Sequence, residues 1–331
     1  MDLDALRSAR QAEWERLDAL AGKGRLDGRD SDELIVRYQD GAADLSEITT
    51  TAGSVPLGDR LSVSLSRARM RFTGTGRNVV SQLPAFFLLQ LPAALYRVRW
   101  WTFWAAAASA VVAVAYGVWS ANDPSVRAAL GTDADLRKLV NTGFTAYYSE
   151  NPAASFTGQV WTNNAFIAAQ CIAFGILGFY VPYVLLQNAM NVGLTGGILI
   201  GYGHADTFFL YIAPHGLLEL TSVFVAAAAG MRVFWAWIAP GARTRGQALA
   251  EDGRAMFIIA VGLTISLFVS GILEGFVTPS PLPWPVKIGI GALALAAFLF
   301  YMVFVGGRAV RAGETGDLDP FAAGARRIIA D

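Results

Sequence analysis

Apolar positions recur at helical spacing along the chain, but in two different ways. From Met1 to about Arg77 they form narrow stripes, with Leu3, Leu6, Trp14, Leu17 and Leu20 separated by charged residues. Such stripes predict amphipathic helices that bury one face within a soluble unit. Gly22 and Gly24 mark the end of the first helix. Asp30 with Glu33 three residues on has the form of an N-cap and its capping partner. It opens a second helix carrying Leu34, Ile35, Tyr38 and Leu45. Asp59 to Phe72 predicts a third, with Arg60, Arg67, Arg69 and Arg71 available to a membrane surface.

From Trp100 the stripes give way to blocks that are apolar all round. The blocks are Trp100–Trp119, Trp161–Gln187, Ala189–Tyr202, Phe208–Ile238, Met256–Val277 and Val286–Val305. They predict about six membrane-spanning helices, since a crossing takes ~20 such residues; the third block is short. Trp100, Trp101, Trp104 and Trp119 sit where aromatic belts mark the interfaces. The stretch 81–98 is apolar but short and holds Pro84 and Pro92, so it predicts a helix lying in the interface. The expected class is therefore all-α, a polytopic membrane helix bundle. Residues 1–80 form a helical cytoplasmic segment, 81–98 the interfacial helix, 99–310 the bundle and 311–331 a cytoplasmic tail.

Composition follows the same split. Of the 331 residues 54% are hydrophobic and 16% charged, against about 25% charged in a soluble domain. The net charge is zero, so nothing in bulk electrostatics points to nucleic acid. A single cysteine, Cys171, rules out an intramolecular disulfide framework and a cysteine-rich metal site. The N-terminus has no apolar signal-peptide core. Arg97 and Arg99, then Arg243, Arg245 and Arg254, then Arg308, Arg311, Arg326 and Arg327 fall on one side of an even number of spans. The positive-inside rule makes that side the cytoplasm of a bacterial inner membrane. The mixed-charge loop from Ser120 to Val160 then lies outside.

Polar residues inside the blocks carry the chemistry. His215 and Glu219 are four apart and share a helix face. An ionisable group at mid-membrane costs at least ~2.5 kcal/mol unless paired or wetted. With alternating spans, Glu274, Asn163 and Asn164 reach a similar depth in the outer half, and Gln170 lies on the same span as the asparagines. These six residues are expected to form one polar cluster. It reads first as an interhelical hydrogen-bond network, with a solute or proton path and a catalytic or metal site as sharper alternatives. The asparagines read equally as interfacial helix caps. His215 and Glu219 alone lack the third strong ligand that zinc catalysis needs, and nothing in the spacing requires Glu274 to supply it. Neither a metal nor a cofactor is expected. Gly193, Gly197 and Gly201 allow close helix approach, within the chain or across a homodimer seam. Phe144, Tyr147, Tyr148 and Phe156 are expected to rest on the membrane surface or to dock a partner. No P-loop, Rossmann glycine pattern, Gly-x-Ser-x-Gly or Cys-x-x-Cys is present.

Pro214-His215-Gly216-Leu217-Leu218-Glu219-Leu220 resembles the signature of the stage II sporulation protein M family. Ile272-Leu273-Glu274-Gly275-Phe276-Val277-Thr278-Pro279 and Asn163-Asn164 at the head of a span are similar to it too. The resemblance implies a multipass membrane protein. In spore formers it implies a scaffold for peptidoglycan-degrading envelope enzymes; in other bacteria it implies association with MoxR-type ATPase systems. The leading expectation is an envelope scaffold that binds membrane lipids and forms a dimer. A transporter or channel using His215, Glu219 and Glu274 comes second, and an intramembrane hydrolase third.

Overall fold

The computed structural model describes residues 3–24, 26–53, 55–72, 83–148 and 152–317. They are helical, with no strand among them, and divide into two units, Met1–Leu83 and Pro84–Asp331.

In the first unit, α1 (Leu3–Gly22), α2 (Gly28–Ala52) and α3 (Pro56–Phe72) close on a core of Leu17, Leu20, Leu34, Ile48, Leu61 and Leu65. The cap of α2 differs from expectation. Asp27 is the N-cap and accepts from the Asp30 amide at 2.8 Å. Glu33 instead takes the two-pronged guanidinium of Arg16, at 3.0 and 2.8 Å, which is a stronger partner than a backbone N–H. Part of the basic face of α3 also contacts α1. Arg67 lies 3.2 Å from Asp18, and Arg71 donates to the Ala21 carbonyl at 3.1 Å. These two side chains contact α1 while remaining exposed.

The second unit is built on α4 (Leu83–Asn122), α7 (Ala153–Ala173), α8 (Tyr180–Gly201), α9 (Ala205–Ile238), α10 (Arg245–Val277) and α11 (Trp284–Arg311). Between α4 and α7 lie the short α5 (Pro124–Leu130) and α6 (Asp133–Lys138). Five of the long helices, all but α7, are long and apolar enough to cross a membrane. With 21 residues, α7 reaches ~31 Å at 1.5 Å per residue. It also carries Thr157, Gln159, Thr162, Asn163, Asn164 and Gln170. Successive helices alternate in direction, and both ends of the chain in this unit meet: Gly306 packs on the Pro92 carbonyl. Arg97, Arg232, Arg243 and Arg254 gather at this basic end.

Two boundaries depart from the sequence reading. The described part of the 81–98 stretch is the first turns of α4, not a separate interfacial helix. Pro84 sits in the first turn, where its missing N–H is no loss. Ahead of Pro92 the backbone widens into a π turn, Phe86–Gln90. Pro92 leaves the Phe87 carbonyl without its donor in that register, and the Tyr301 hydroxyl serves it. In place of the expected spans 161–187 and 189–202 stand the helices Ala153–Ala173 and Tyr180–Gly201. The break between them, Phe174–Phe179, is as apolar as its flanks, so hydropathy runs through it. Gly178 makes the turn at φ +68°.

The glycines of α8 form a seam inside the chain. A Cβ on Gly193 would run into the Ala113 carbonyl, and one on Gly197 into the Gly117 carbonyl and the Ser120 hydroxyl. One on Gly201 would reach the Ala121 carbonyl at 3.0 Å. Because α4 fills this face, it no longer argues for a dimer. The aromatics of the 123–156 region pack as well: Leu136, Val140, Phe144, Tyr148 and Phe156 form a second core with Val160, Leu199 and Phe208 over the end opposite the basic one. Only Tyr147 of the four expected surface aromatics is exposed.

Cys171 is wholly buried, so a thiol-reactive dye reports unfolding without any engineered label. Gly197→Ala is expected to lower the midpoint of dye labelling on heating, at a cost of about 1–3 kcal/mol. Gly289→Ala, with nothing within 4 Å of its Cβ, is expected to leave the midpoint unchanged or raise it, by up to about 1 kcal/mol. Equal effects of the two would contradict the seam.

Candidate functional site

The α9–α10 seam carries a run of polar contacts. On α9, His215, Glu219 and Ser222 occupy one face, being four and three residues apart. On α10, Ser266, Ser270 and Glu274 follow at steps of four, and Thr278 continues the step just past its end. The helices run antiparallel, so the two rows meet. The Ser222 and Ser266 hydroxyls are 2.7 Å apart. Ser270 donates to the His215 carbonyl at 3.1 Å. Thr278 Oγ1 lies 3.3 Å from His215 Nδ1.

The last turn of α10 is a π turn, Leu273–Val277, in which the Thr278 amide reaches the Leu273 carbonyl at 2.9 Å. Glu274, in this turn, lies over α9. Its Oε2 is 3.7 Å from His215 Nε2, beyond hydrogen-bond reach. His215 and Glu274 are both buried, with side chains 5% and 6% exposed. One ligand atom each from His215, Glu219 and Glu274 lies within 4.8 Å of the others. The Oε2 of Glu219 is inaccessible and has no hydrogen-bond partner. The Ser270 hydroxyl and the Asn164 amide face that carboxylate. Thr157 Oγ1, on α7 against Gly275, is likewise buried without a partner.

Aromatic side chains roof the site. The Tyr148 ring lies 5.9 Å from His215 and 5.2 Å from Tyr211. Burial pushes the Tyr148 phenol above its usual range, so it stays a neutral hydroxyl. The arm leading to Tyr148 is fastened by Asp133, which accepts from Tyr202 at 2.7 Å and from Arg137 at 2.8 Å. Those two bonds, Arg137 first, hold its carboxyl below the usual carboxylate range.

Not every residue expected in the cluster is there. Asn164 is buried beside Glu219, whereas Asn163 is exposed, its amide nitrogen 3.5 Å from Asn164 Oδ1. Gln170 is six residues further along α7, ~9 Å away. There it accepts from Tyr180 at 2.8 Å, across the apolar break. Gly193, Gly197 and Gly201 belong to the α4–α8 seam.

Other participants were hidden by type. Serines and threonines do not stand out in an apolar block, although the four-residue step from Ser266 to Thr278 was there to find. Lys287 is buried in α11, donating to the Thr278 carbonyl at 2.7 Å and lying 4.0 Å from the Trp284 ring. A lone lysine in an apolar block was its signal. At the basic end, buried Asp252 accepts from Arg232 at 2.8 Å and Arg243 at 3.3 Å, and Arg232 also donates to the Arg97 carbonyl at 2.9 Å.

A family described as stage II sporulation protein M matches residues 106–279, just over half of the chain and all of the α9–α10 site. The chain belongs to the stage II sporulation protein M family. It is a multi-pass membrane protein of that family. Residues 4–74 match a second family, a domain of unknown function (DUF8413), which coincides with the three-helix unit. Neither a curated protein nor a solved structure matches.

Thr278→Val removes the hydroxyl that faces His215 Nδ1, and the expected loss is about 1–2 kcal/mol. Thr278→Ser keeps the hydroxyl and is expected to retain most of the stability. Heating each with the Cys171 label checks this, and equal losses would show that the hydroxyl does nothing.

Proposed function

We propose that this stage II sporulation protein M family member is an integral scaffold of the bacterial cell envelope. The observation that carries the reading is the division into two differently made units. A charged three-helix unit with its own core is joined in one chain to a membrane bundle whose seams are closed by glycines and buried polar pairs. The bundle anchors; the three-helix unit presents surface to partners. The gathering of arginines at one end of the bundle supports an inner-membrane orientation with that end, and both termini, in the cytoplasm. The partners this implies are envelope enzymes or a MoxR-type ATPase system.

A second reading, a site that holds an ion or handles a solute, is favoured by one observation. The Glu219 oxygen is buried without a partner, and a purely structural network leaves few such atoms.

Photo-crosslinkers at exposed Val36 and Val63 of the full-length chain, in cells, are expected to yield discrete adducts with envelope enzymes or their ATPases. Adducts with lipid alone, or none, would contradict the scaffold. For orientation, Ser125→Cys is expected to react with an impermeant maleimide from outside intact cells and Glu314→Cys only after lysis. The reverse pattern would overturn the orientation.

A further inference from the structure

We infer that His215, Glu219 and Glu274 form a binding site for one divalent transition-metal cation of the zinc class. This goes beyond the scaffold reading and does not depend on it.

The geometry is the first argument. Three protein atoms around zinc at ~2.0–2.2 Å lie ~3.4 Å from one another in a tetrahedron. His215 Nε2 and Glu274 Oε2 are 3.7 Å apart, too far for a hydrogen bond and close to a tetrahedral edge. Small side-chain rotations bring Glu219, within 4.8 Å of both, to the same centre.

Charge is the second. Two carboxylates held this close in an apolar bundle require a cation or a shared proton. Among the described residues, the ion-pair partner of Glu274 is His215, and no lysine or arginine pairs with either glutamate. Lys287 is committed to the Thr278 carbonyl. One divalent ion neutralises both carboxylates and leaves the imidazole neutral.

The surroundings are the third. A metal-binding histidine is normally steered through its other ring nitrogen. Here Thr278 Oγ1 faces Nδ1 while Nε2 points at Glu274. Asn164 faces Glu219 in the same supporting manner, and the Ser270 hydroxyl, which donates to the His215 carbonyl, lies beside it. The buried, unpartnered Oε2 of Glu219 supplies the ligand lone pair that the protein leaves unused. An imidazole with two carboxylates selects zinc, iron, cobalt or manganese over calcium and magnesium, which take oxygen shells. Three protein ligands leave a fourth position free, as catalytic sites do. The spacing did not require Glu274 as the third ligand; the fold sets it against His215.

The test uses full-length protein in lipid nanodiscs, loaded with zinc chloride and passed through a desalting column, with bound metal measured by mass spectrometry. One zinc per chain is expected, and cobalt chloride is expected to give the visible absorption of a tetrahedral site. Glu219→Gln, Glu274→Gln and His215→Ala should each weaken zinc binding at least tenfold, while Glu47→Gln, exposed on α2 of the three-helix unit, retains it. Thr278→Val keeps all three ligands and should weaken binding about 10–100-fold; it serves if a ligand variant leaves Cys171 exposed to dye. Substoichiometric zinc in the folded wild type would overturn the site, and the glutamates would then share a proton. Undiminished zinc in folded Glu219→Gln/Glu274→Gln would overturn it as well.

Discussion

Within an apolar bundle no water is at hand, so a polar group on a helix must find its partner on another helix. That constraint bears most heavily on the contact between α9 and α10. From end to end of this seam, Arg232 meets Asp252, Ser222 meets Ser266, the His215 carbonyl meets Ser270, and the His215 ring meets Glu274 and Thr278. Slipping either helix by one turn would misplace each of these groups at once. The polar row therefore sets the register of the seam, and dispersion between apolar side chains could not do so alone. α9 is the hub of the bundle: Val225 to Ala229 is almost wholly buried, and its small side chains let α4, α7 and α10 approach.

Close approach is the second theme. The Gly230 Cβ position is filled by the Cys171 carbonyl, that of Gly291 by the Pro214 carbonyl, and those of Gly193 and Gly197 by backbone of α4. Helices this near to one another form a stiff frame, and the irregular turns sit within it. The π turns at Phe86–Gln90, Leu273–Val277 and Tyr301–Val305 each serve a local need. The first lets α4 continue to Pro92, and Tyr301 at the head of the third satisfies the carbonyl left over. The second holds Glu274 and leads to Thr278. Irregular backbone is tolerated there because protein surrounds it.

Much of the site was legible because its residues are expensive. Histidine and glutamate four apart in an apolar block leave few options, and alternating spans place Glu274 at the same depth. The rest was hidden for physical reasons. Ser270 and Thr278 are too cheap to bury to stand out, and Gln170 was grouped by type although Tyr180, across an apolar break, claims it. The break itself escaped because Phe174–Phe179 is as hydrophobic as a helix. Pro84 and Pro92 suggested an interruption, whereas a proline in a first turn or beside a π turn costs little. The aromatics from Phe144 to Phe156 looked like interfacial anchors, since sequence does not reveal that Leu136, Val140 and Phe208 offer them a core. In the first unit, Arg67 and Arg71 read as a lipid-facing patch, since sequence does not reveal that α1 offers them Asp18 and the Ala21 carbonyl.

The account rests on the claim that the α9 and α10 polar rows act as one unit, and a double-mutant cycle measures this most directly. His215→Ala, Glu274→Gln and the double variant would be unfolded by denaturant in nanodiscs and read through Cys171. Coupled rows predict that the double variant is not the sum of the singles, with an interaction energy of about 1 kcal/mol or more. Additive effects would mean that the two side chains are buried side by side without acting on each other, and the central claim would fail.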